Sequence, residues 1–132
     1  MNYKEQLLNK QTYFLEKQRA TQGAEESYYE MLSQMVNELI HLVEHIEQLS
    51  TASHLKAAFK PYEGQWFFIM DEICEALEIL ATEAFGAIKG KKIYEEVDEV
   101  MADLDDWIEA VNEMEMDDTL PYLEAWDIGV FF

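Results

Sequence analysis

Positive charge is scarce in this sequence. The 132 residues include 9 Lys and Arg against 28 Asp and Glu, which gives a formal net charge of −19. Such a negative surface repels the phosphates of nucleic acids and the head groups of anionic membranes. Direct binding to nucleic acid or to a membrane is therefore disfavoured, whereas basic proteins and metal cations are favoured as partners.

Cysteine and long apolar runs are scarce as well. The one cysteine, Cys74, excludes an internal disulfide framework, and its place beside the apolar stripe of its helix predicts a small buried hydrophobic residue. No apolar run approaches the roughly 20 residues that span a bilayer, and no secretory leader is recognised. We therefore expect a cytoplasmic protein, in a bacterium or a phage-infected host cell.

Apolar residues make up 49% of the chain and aromatic residues 13%, enough for one domain with its own core. They recur at steps of three and four over residues 25–50, 65–85 and 93–114, which predicts three long helices. Residues 3–20 fit a helix more weakly, and a short helix is expected near Pro121. We predict an all-α fold over 1–132: a bundle of three long helices with shorter terminal helical segments, of which 1–22 is peripheral and frays.

Two acidic pairs are candidates for a metal site. Glu72 and Glu75 on one predicted helix, and Glu96 and Glu99 on the next, have the three-residue spacing that points both side chains the same way. If these helices pack side by side, the four carboxylates would form an oxygen cage suited to Mg²⁺. We expect this ion, or Mn²⁺ in its place, to hold the phosphates of a substrate.

Three lysines lie between the acidic pairs. Lys89, Lys91 and Lys92 are the only basic residues after Lys60. In a stretch otherwise without positive charge, their position predicts a loop that takes up the charge of substrate phosphates.

The acidic segments resemble a known signature. "DEICEALE" and the later "EEVDEV", with 20 positions between Glu75 and Glu96, are similar to the E-E-x-x-E … E-x-x-D pattern of the all-α nucleotide pyrophosphohydrolases, the MazG-like and dimeric dUTPase superfamily. The resemblance covers roughly residues 64–113. By position, Asp71, Glu72 and Glu75 match the first element and Glu96 the second, with Glu99 where the family has Asp. A shift by one residue places Glu95 and Asp98 there instead.

The resemblance implies an activity. Family members use Mg²⁺ held by these acids to cleave nucleoside triphosphates to the monophosphate and pyrophosphate, and they form dimers or tetramers. The resemblance therefore implies that Glu72, Glu75, Glu96 and Glu99 are metal-binding and catalytic, that Lys89, Lys91 and Lys92 bind the substrate phosphates, and that the protein is a homo-oligomer.

The excess of acids also fits functions without catalysis. In so acidic a helical protein, acidic pairs arise on solvated faces as well. Residues 93–132 hold 14 Asp and Glu and no Lys or Arg, more than solubility requires. This excess predicts a cationic partner, as for a phage-type inhibitor, a DNA mimic or an immunity protein that binds a basic nucleic-acid-binding protein or nuclease. The face available for that role is formed by Glu95, Asp98, Asp105, Asp106 and Glu109. An acidic subunit of a larger assembly is a third hypothesis, and the paired acids with the lysines favour the hydrolase.

Overall fold

The computed structural model describes residues 3–49 and 55–112. These residues form four helices and no strand, which confirms the predicted all-α bundle. The helices are α1 (Tyr3–Ala20), α2 (Ala24–Leu49), α3 (Leu55–Phe85) and α4 (Ala87–Asn112). The short helix expected near Pro121 lies outside the described residues.

Helix α3 begins at Leu55 rather than near Gln65, and it includes Pro61. Proline lacks an N–H and is a weak helix former, so local propensity predicts a break at this point. The next residue, Tyr62, stacks its ring on His45 of α2, with 3.9 Å between the ring centroids. Packing against α2 therefore supports helix where the local sequence does not.

Helix α4 also begins early, at Ala87 rather than near Ile93, so the "KGKK" segment is helical. The break from α3 is the single residue Gly86, whose φ of 87° lies in the left-handed region that favours glycine. Its N–H donates to the carbonyl of Thr82 at 2.9 Å, and its carbonyl accepts from the N–H of Gly90 at 2.8 Å. So short a connection requires α4 to start directly beside the end of α3.

Helix α1 corresponds to the helix expected over residues 3–20. It packs on α2, and its side chains Leu7 and Phe14 are fully buried. The N-terminal segment therefore supplies part of the core.

Helices α2 and α3 run antiparallel. The indole Nε1 of Trp66 donates to the backbone carbonyl of Glu38 at 3.0 Å. Further along, the rings of Tyr28 and Phe85 meet edge to face at 5.3 Å. Later residues of α3 therefore contact earlier residues of α2. Trp66 fills part of the core, and its N–H has a hydrogen-bond partner there.

The core lies along the inner faces of all four helices. Its largest fully buried side chains are Trp66, Tyr28, Phe14, Leu7, Leu32, Met35, Leu39, Leu42, Met70 and Leu77. Burial of each large apolar side chain contributes about 1.5–3 kcal/mol, and this opposes the mutual repulsion of the acids outside. None of the described helices is both long enough and apolar enough to cross a membrane.

Helices α3 and α4 approach closely at Gly90. A Cβ at this position would lie 2.6 Å from the carbonyl oxygen of Ala81 and 2.9 Å from the Cα of Thr82. These are backbone atoms, so they cannot move aside without shifting α3. The absence of a side chain at Gly90 therefore sets how α4 lies against α3.

Gly90→Ala tests this contact. The new methyl group overlaps backbone atoms of α3, so we expect the free energy of unfolding to fall by about 1–3 kcal/mol in urea denaturation. The matched control is Gly64→Ala, also within a helix, where an added Cβ would have no neighbour within 4 Å. That change is expected to raise stability by up to about 1 kcal/mol, because alanine is the better helix former. Equal stability of the Gly90 variant and the parent would contradict the close packing.

Candidate functional site

Carboxylates from α3 and α4 surround the single thiol. Cys74 is half-buried on α3. Burial is the main cause that raises the pKa of its thiol to about 11, and the negative charges of Asp71, Asp98 and Asp105 raise it further. One of these acids lies on α3 and two on α4. Acidic residues of both helices therefore lie near the thiol, where α3 and α4 pack together.

Tyr94 of α4 also lies near acidic residues of both helices. Its pKa is raised by burial first and then by Cys74, Glu78, Asp98 and Glu75. Three pairs of neighbouring positions show how the helices run: 81 with 90, 78 with 94, and 71 with 105. As the α3 position moves back along the chain, its α4 neighbour moves forward. The helices are therefore antiparallel.

We call this edge the acidic seam; it consists of Asp71, Glu75 and Glu78 on α3 and Asp98 and Asp105 on α4. All five side chains are exposed. Burial, followed by the charges of Asp71 and Asp106, raises the pKa of Asp105. The neighbouring carboxylates therefore add to the effect of burial in disfavouring ionisation of Asp105.

The predicted partner-binding face of α4 is continuous with the seam. Its members are Glu95, Asp98, Asp105, Asp106 and Glu109, and all are exposed. At about 100° per residue they cover the side of α4 that runs from the seam to the surface opposite the buried Val97 and Ile108. Seam and α4 face together form one acidic surface, which we call the two-helix acidic face.

The four glutamates predicted to bind metal lie at matching heights on α3 and α4. Glu75 is six residues before Ala81 and Glu96 is six residues after Gly90, and these two reference positions touch. Helices that rise equally per residue therefore place Glu75 level with Glu96, and in the same way Glu72 level with Glu99.

Their side chains nevertheless have different neighbours. Glu72 lines a pocket shared with α2, whereas the charge of Glu75 acts on Tyr94 of α4. Glu96 is half-buried and acts on Tyr28 of α2, and Glu99 is exposed. Within 3–49 and 55–112, no three His, Cys, Asp or Glu side chains form a group that could hold a metal ion. The magnesium site stays a prediction.

The three lysines expected on a loop lie in the first two turns of α4. All are exposed, and Lys89 places its Nζ 5.5 Å from the centroid of the Phe85 ring. Helical spacing puts Lys89 and Lys92 within about 60° of each other, and Lys91 on another side. The fold therefore groups two of the three lysines.

A groove runs over α2 between α1 and α3. One part has a volume of about 490 Å³ and the next about 380 Å³, and both include Gln34 and Asn37. The first part contains Glu72, and the second is lined by Gln11 and Gln18 of α1. This amide-rich groove lies on the α2 side of α3 and the two-helix acidic face on its α4 side, so the two surfaces offer different chemistry.

Comparison with models of protein families, with curated proteins and with solved structures finds no match to this chain.

The sequence pattern did not indicate that Asp71 and Glu78 lie beside Asp98 and Asp105, or that Tyr94 lies among them. A signal was present in the spacing: these acids flank the apolar stripes of two consecutive helices at steps of three, four and seven. The short connection at Gly86 makes those helices antiparallel neighbours. What the spacing does not give is which flank of α3 meets which flank of α4.

The thiol of Cys74 gives a direct test of the seam. Because its pKa is raised to about 11, it should alkylate slowly at pH 7–8, and its rate should rise until the pH exceeds that value. In the urea-unfolded chain the alkylation rate should level off at a lower pH, because the thiol then has its ordinary pKa of about 8.5. Asp71→Asn with Asp98→Asn should lower the folded pKa, because fewer anions then oppose the thiolate. Burial should still hold it above the ordinary value.

Alkylation rates measured against pH check this expectation. The control is Glu16→Gln with Glu26→Gln, which removes the same charge from exposed positions on α1 and α2. If both double variants shift the pKa equally, the effect belongs to net charge and the seam is not its cause.

Proposed function

We propose that this protein binds a basic protein through its two-helix acidic face and thereby blocks a cationic surface on that partner. The observation that supports this proposal best is the joining of exposed acids from α3 and α4 at the seam, where burial and then the charges of these acids raise the pKa of Cys74, Tyr94 and Asp105. The acids act together as one anionic field.

The anionic field of these acids is suited to attracting a basic partner over a distance. Clustered carboxylates repel one another in the folded chain, and a cationic partner would relieve that repulsion. A formal net charge of −19 attracts a basic partner from beyond contact distance and accelerates encounter at low salt. Such attraction is screened over about 10 Å at 0.1 M salt, so the association should depend strongly on salt.

The chemical class of the partner follows from the acids. Exposed carboxylates present anionic oxygens as phosphates do, and a cleft that binds nucleic acid carries Lys and Arg to meet phosphates. A basic nucleic-acid-binding protein or a nuclease is therefore the favoured target. The protein would act as an inhibitor, with no chemical step of its own.

A matched pair of variants tests this function. Asp98→Asn, Asp106→Asn and Glu109→Gln together should abolish salt-sensitive capture of basic nucleic-acid-binding proteins or nucleases from lysate, identified by mass spectrometry. Glu16→Gln, Glu26→Gln and Glu30→Gln, which remove the same charge from α1 and α2, should retain it. Each captured protein is then assayed for nucleic-acid binding or cleavage with and without this chain. Equal capture by both triple variants, or undiminished activity of every captured protein, would refute the proposal.

A second candidate is the Mg²⁺-dependent nucleoside triphosphate pyrophosphohydrolase that the sequence resemblance implies, acting as a dimer or tetramer. One observation favours it: the contact of Gly90 with Ala81 puts Glu72 level with Glu99 and Glu75 level with Glu96. In that function the glutamates would hold Mg²⁺ or Mn²⁺, and the metal would activate a water for attack on phosphorus. Lys89, Lys91 and Lys92 would meet the substrate phosphates.

Metal-dependent stability and turnover separate this candidate from the inhibitor. Mg²⁺ or Mn²⁺ bound only by the folded chain should raise the melting temperature, and a nucleoside triphosphate should release pyrophosphate. Glu72→Gln with Glu75→Gln should remove both effects, whereas Glu16→Gln with Glu26→Gln should keep them. If the parent shows neither effect across the common ribo- and deoxyribonucleoside triphosphates, the hydrolase is ruled out.

A further inference from the structure

We propose that the outward ridge of α3, formed by Phe68, Glu72, Glu75 and Ile79, binds a basic amphipathic helix of the partner. This inference rests on the proposed inhibitor function and specifies what the partner must carry. Phe68 and Ile79 are eleven residues apart, which is about three turns and about 16 Å. Eleven steps of about 100° return to within about 20° of the start, so both side chains lie on one face.

Two large apolar side chains on this ridge are open to solvent. Phe68 is 66% exposed and Ile79 is 60% exposed. Glu72 and Glu75 lie between them on the same face, and both are exposed. Phosphate mimicry alone requires only charge. An apolar residue at each end of an acidic pair fits a partner that brings both cations and apolar anchors.

The neighbouring α4 face supports this distinction. Its acids Glu95, Asp98, Asp105, Asp106 and Glu109 are exposed. Among the α4 side chains whose burial the structure describes, Ile88 near the start of the helix is the one exposed large apolar residue. The two helices therefore offer different surfaces to one partner: α4 offers charge for attraction, and the α3 ridge offers charge with apolar contact area. A few well-packed residues supply most of the affinity of an interface, so Phe68 and Ile79 are the positions where affinity beyond charge attraction is expected.

Charge selects the occupant of the ridge. The 20 residues after Asn112 contain six Asp and Glu and no Lys or Arg, so this segment is repelled by Glu72 and Glu75. A second copy of the chain carries the same formal net charge of −19 and is repelled as well. A cationic segment of another protein is attracted, and it relieves the repulsion on the ridge.

The spacing indicates a helix. A helix lying along the ridge has the same rise per residue, so apolar residues eleven positions apart would meet Phe68 and Ile79. Lys or Arg at the fourth and seventh positions after the first apolar residue would then face Glu72 and Glu75. An amphipathic helix with this pattern matches the ridge in length, charge and polarity.

The test uses two synthetic helical peptides of about 18 residues, long enough to form helix when bound. The matched peptide has two leucines eleven positions apart and lysines at the fourth and seventh positions after the first leucine. The mismatched peptide has the same composition with the leucines moved to the face opposite the lysines. Binding of each labelled peptide to the full chain is measured by fluorescence anisotropy at about 0.1 M salt.

We expect the matched peptide to bind at least about tenfold more tightly than the mismatched one. Phe68→Ser with Ile79→Ser should weaken the matched peptide by about tenfold or more. The control Ile88→Ser, which removes an apolar side chain that is 80% exposed away from the ridge, should leave its affinity unchanged. All three positions are exposed, so these changes should leave the core intact, which circular dichroism would verify.

Several results would overturn the proposal. Equal affinity of the two peptides, no binding of the matched peptide, or no effect of the Phe68 and Ile79 changes would each do so. A synthetic peptide of residues 113–132 that displaces the matched peptide, or a dimer of the parent that Phe68→Ser dissociates, would assign the ridge to another occupant.

The two proposals fail in different ways. If both peptides bind equally and the Asp98, Asp106 and Glu109 changes abolish that binding, the charged face still acts on a basic partner and the ridge is not its docking site. Failure of the capture and inhibition assays would remove the inhibitor function itself.

Discussion

The close approach of α3 and α4 is the constraint on which the surface chemistry depends. Gly90 allows the start of α4 to touch the backbone of Ala81, and Gly86 turns the chain within one residue. From that fixed point two antiparallel helices rise at the same rate, so acids far apart in sequence lie side by side. The acidic seam is therefore a consequence of backbone packing, which holds like charges together against their repulsion.

The apolar core is what resists that repulsion. Trp66 is buried, and its indole N–H is satisfied by the carbonyl of Glu38, so the largest core side chain leaves no buried donor unpaired. Leu7 and Phe14 extend the core into α1. Each large apolar side chain contributes about 1.5–3 kcal/mol on burial, whereas exposed charges interact through water and more weakly. A chain with this net charge can thus fold and still keep a strongly anionic surface.

The proposed role of the α3 ridge is to add specificity to that anionic surface. A uniformly acidic protein attracts any cation, but attraction alone gives little specificity. In the proposed function, exposed Phe68 and Ile79 at the two ends of an acidic pair would favour a cationic partner that also carries apolar residues. The same Glu72 and Glu75 are also the first acids of the predicted metal site, so the two proposed functions compete for these side chains. A glutamate that coordinates Mg²⁺ cannot at the same time pair with a partner's lysine.

Sequence alone determined the helical class, the apolar stripes and the exposed acids of α4, because helical periodicity and polarity are local properties. It did not predict that α3 begins at Leu55, since Pro61 and Gly64 favour a break and the contact of Tyr62 with His45 supports the helix across it. It did not place the lysines on a helix, or show that Asp71 and Glu78 meet Asp98 and Asp105. Those outcomes depend on which flanks of two helices pack together. Only the tertiary structure decided which flanks meet, through the backbone contact at Gly90. The physical reason is that periodicity within one helix carries no information about the helix that packs against it.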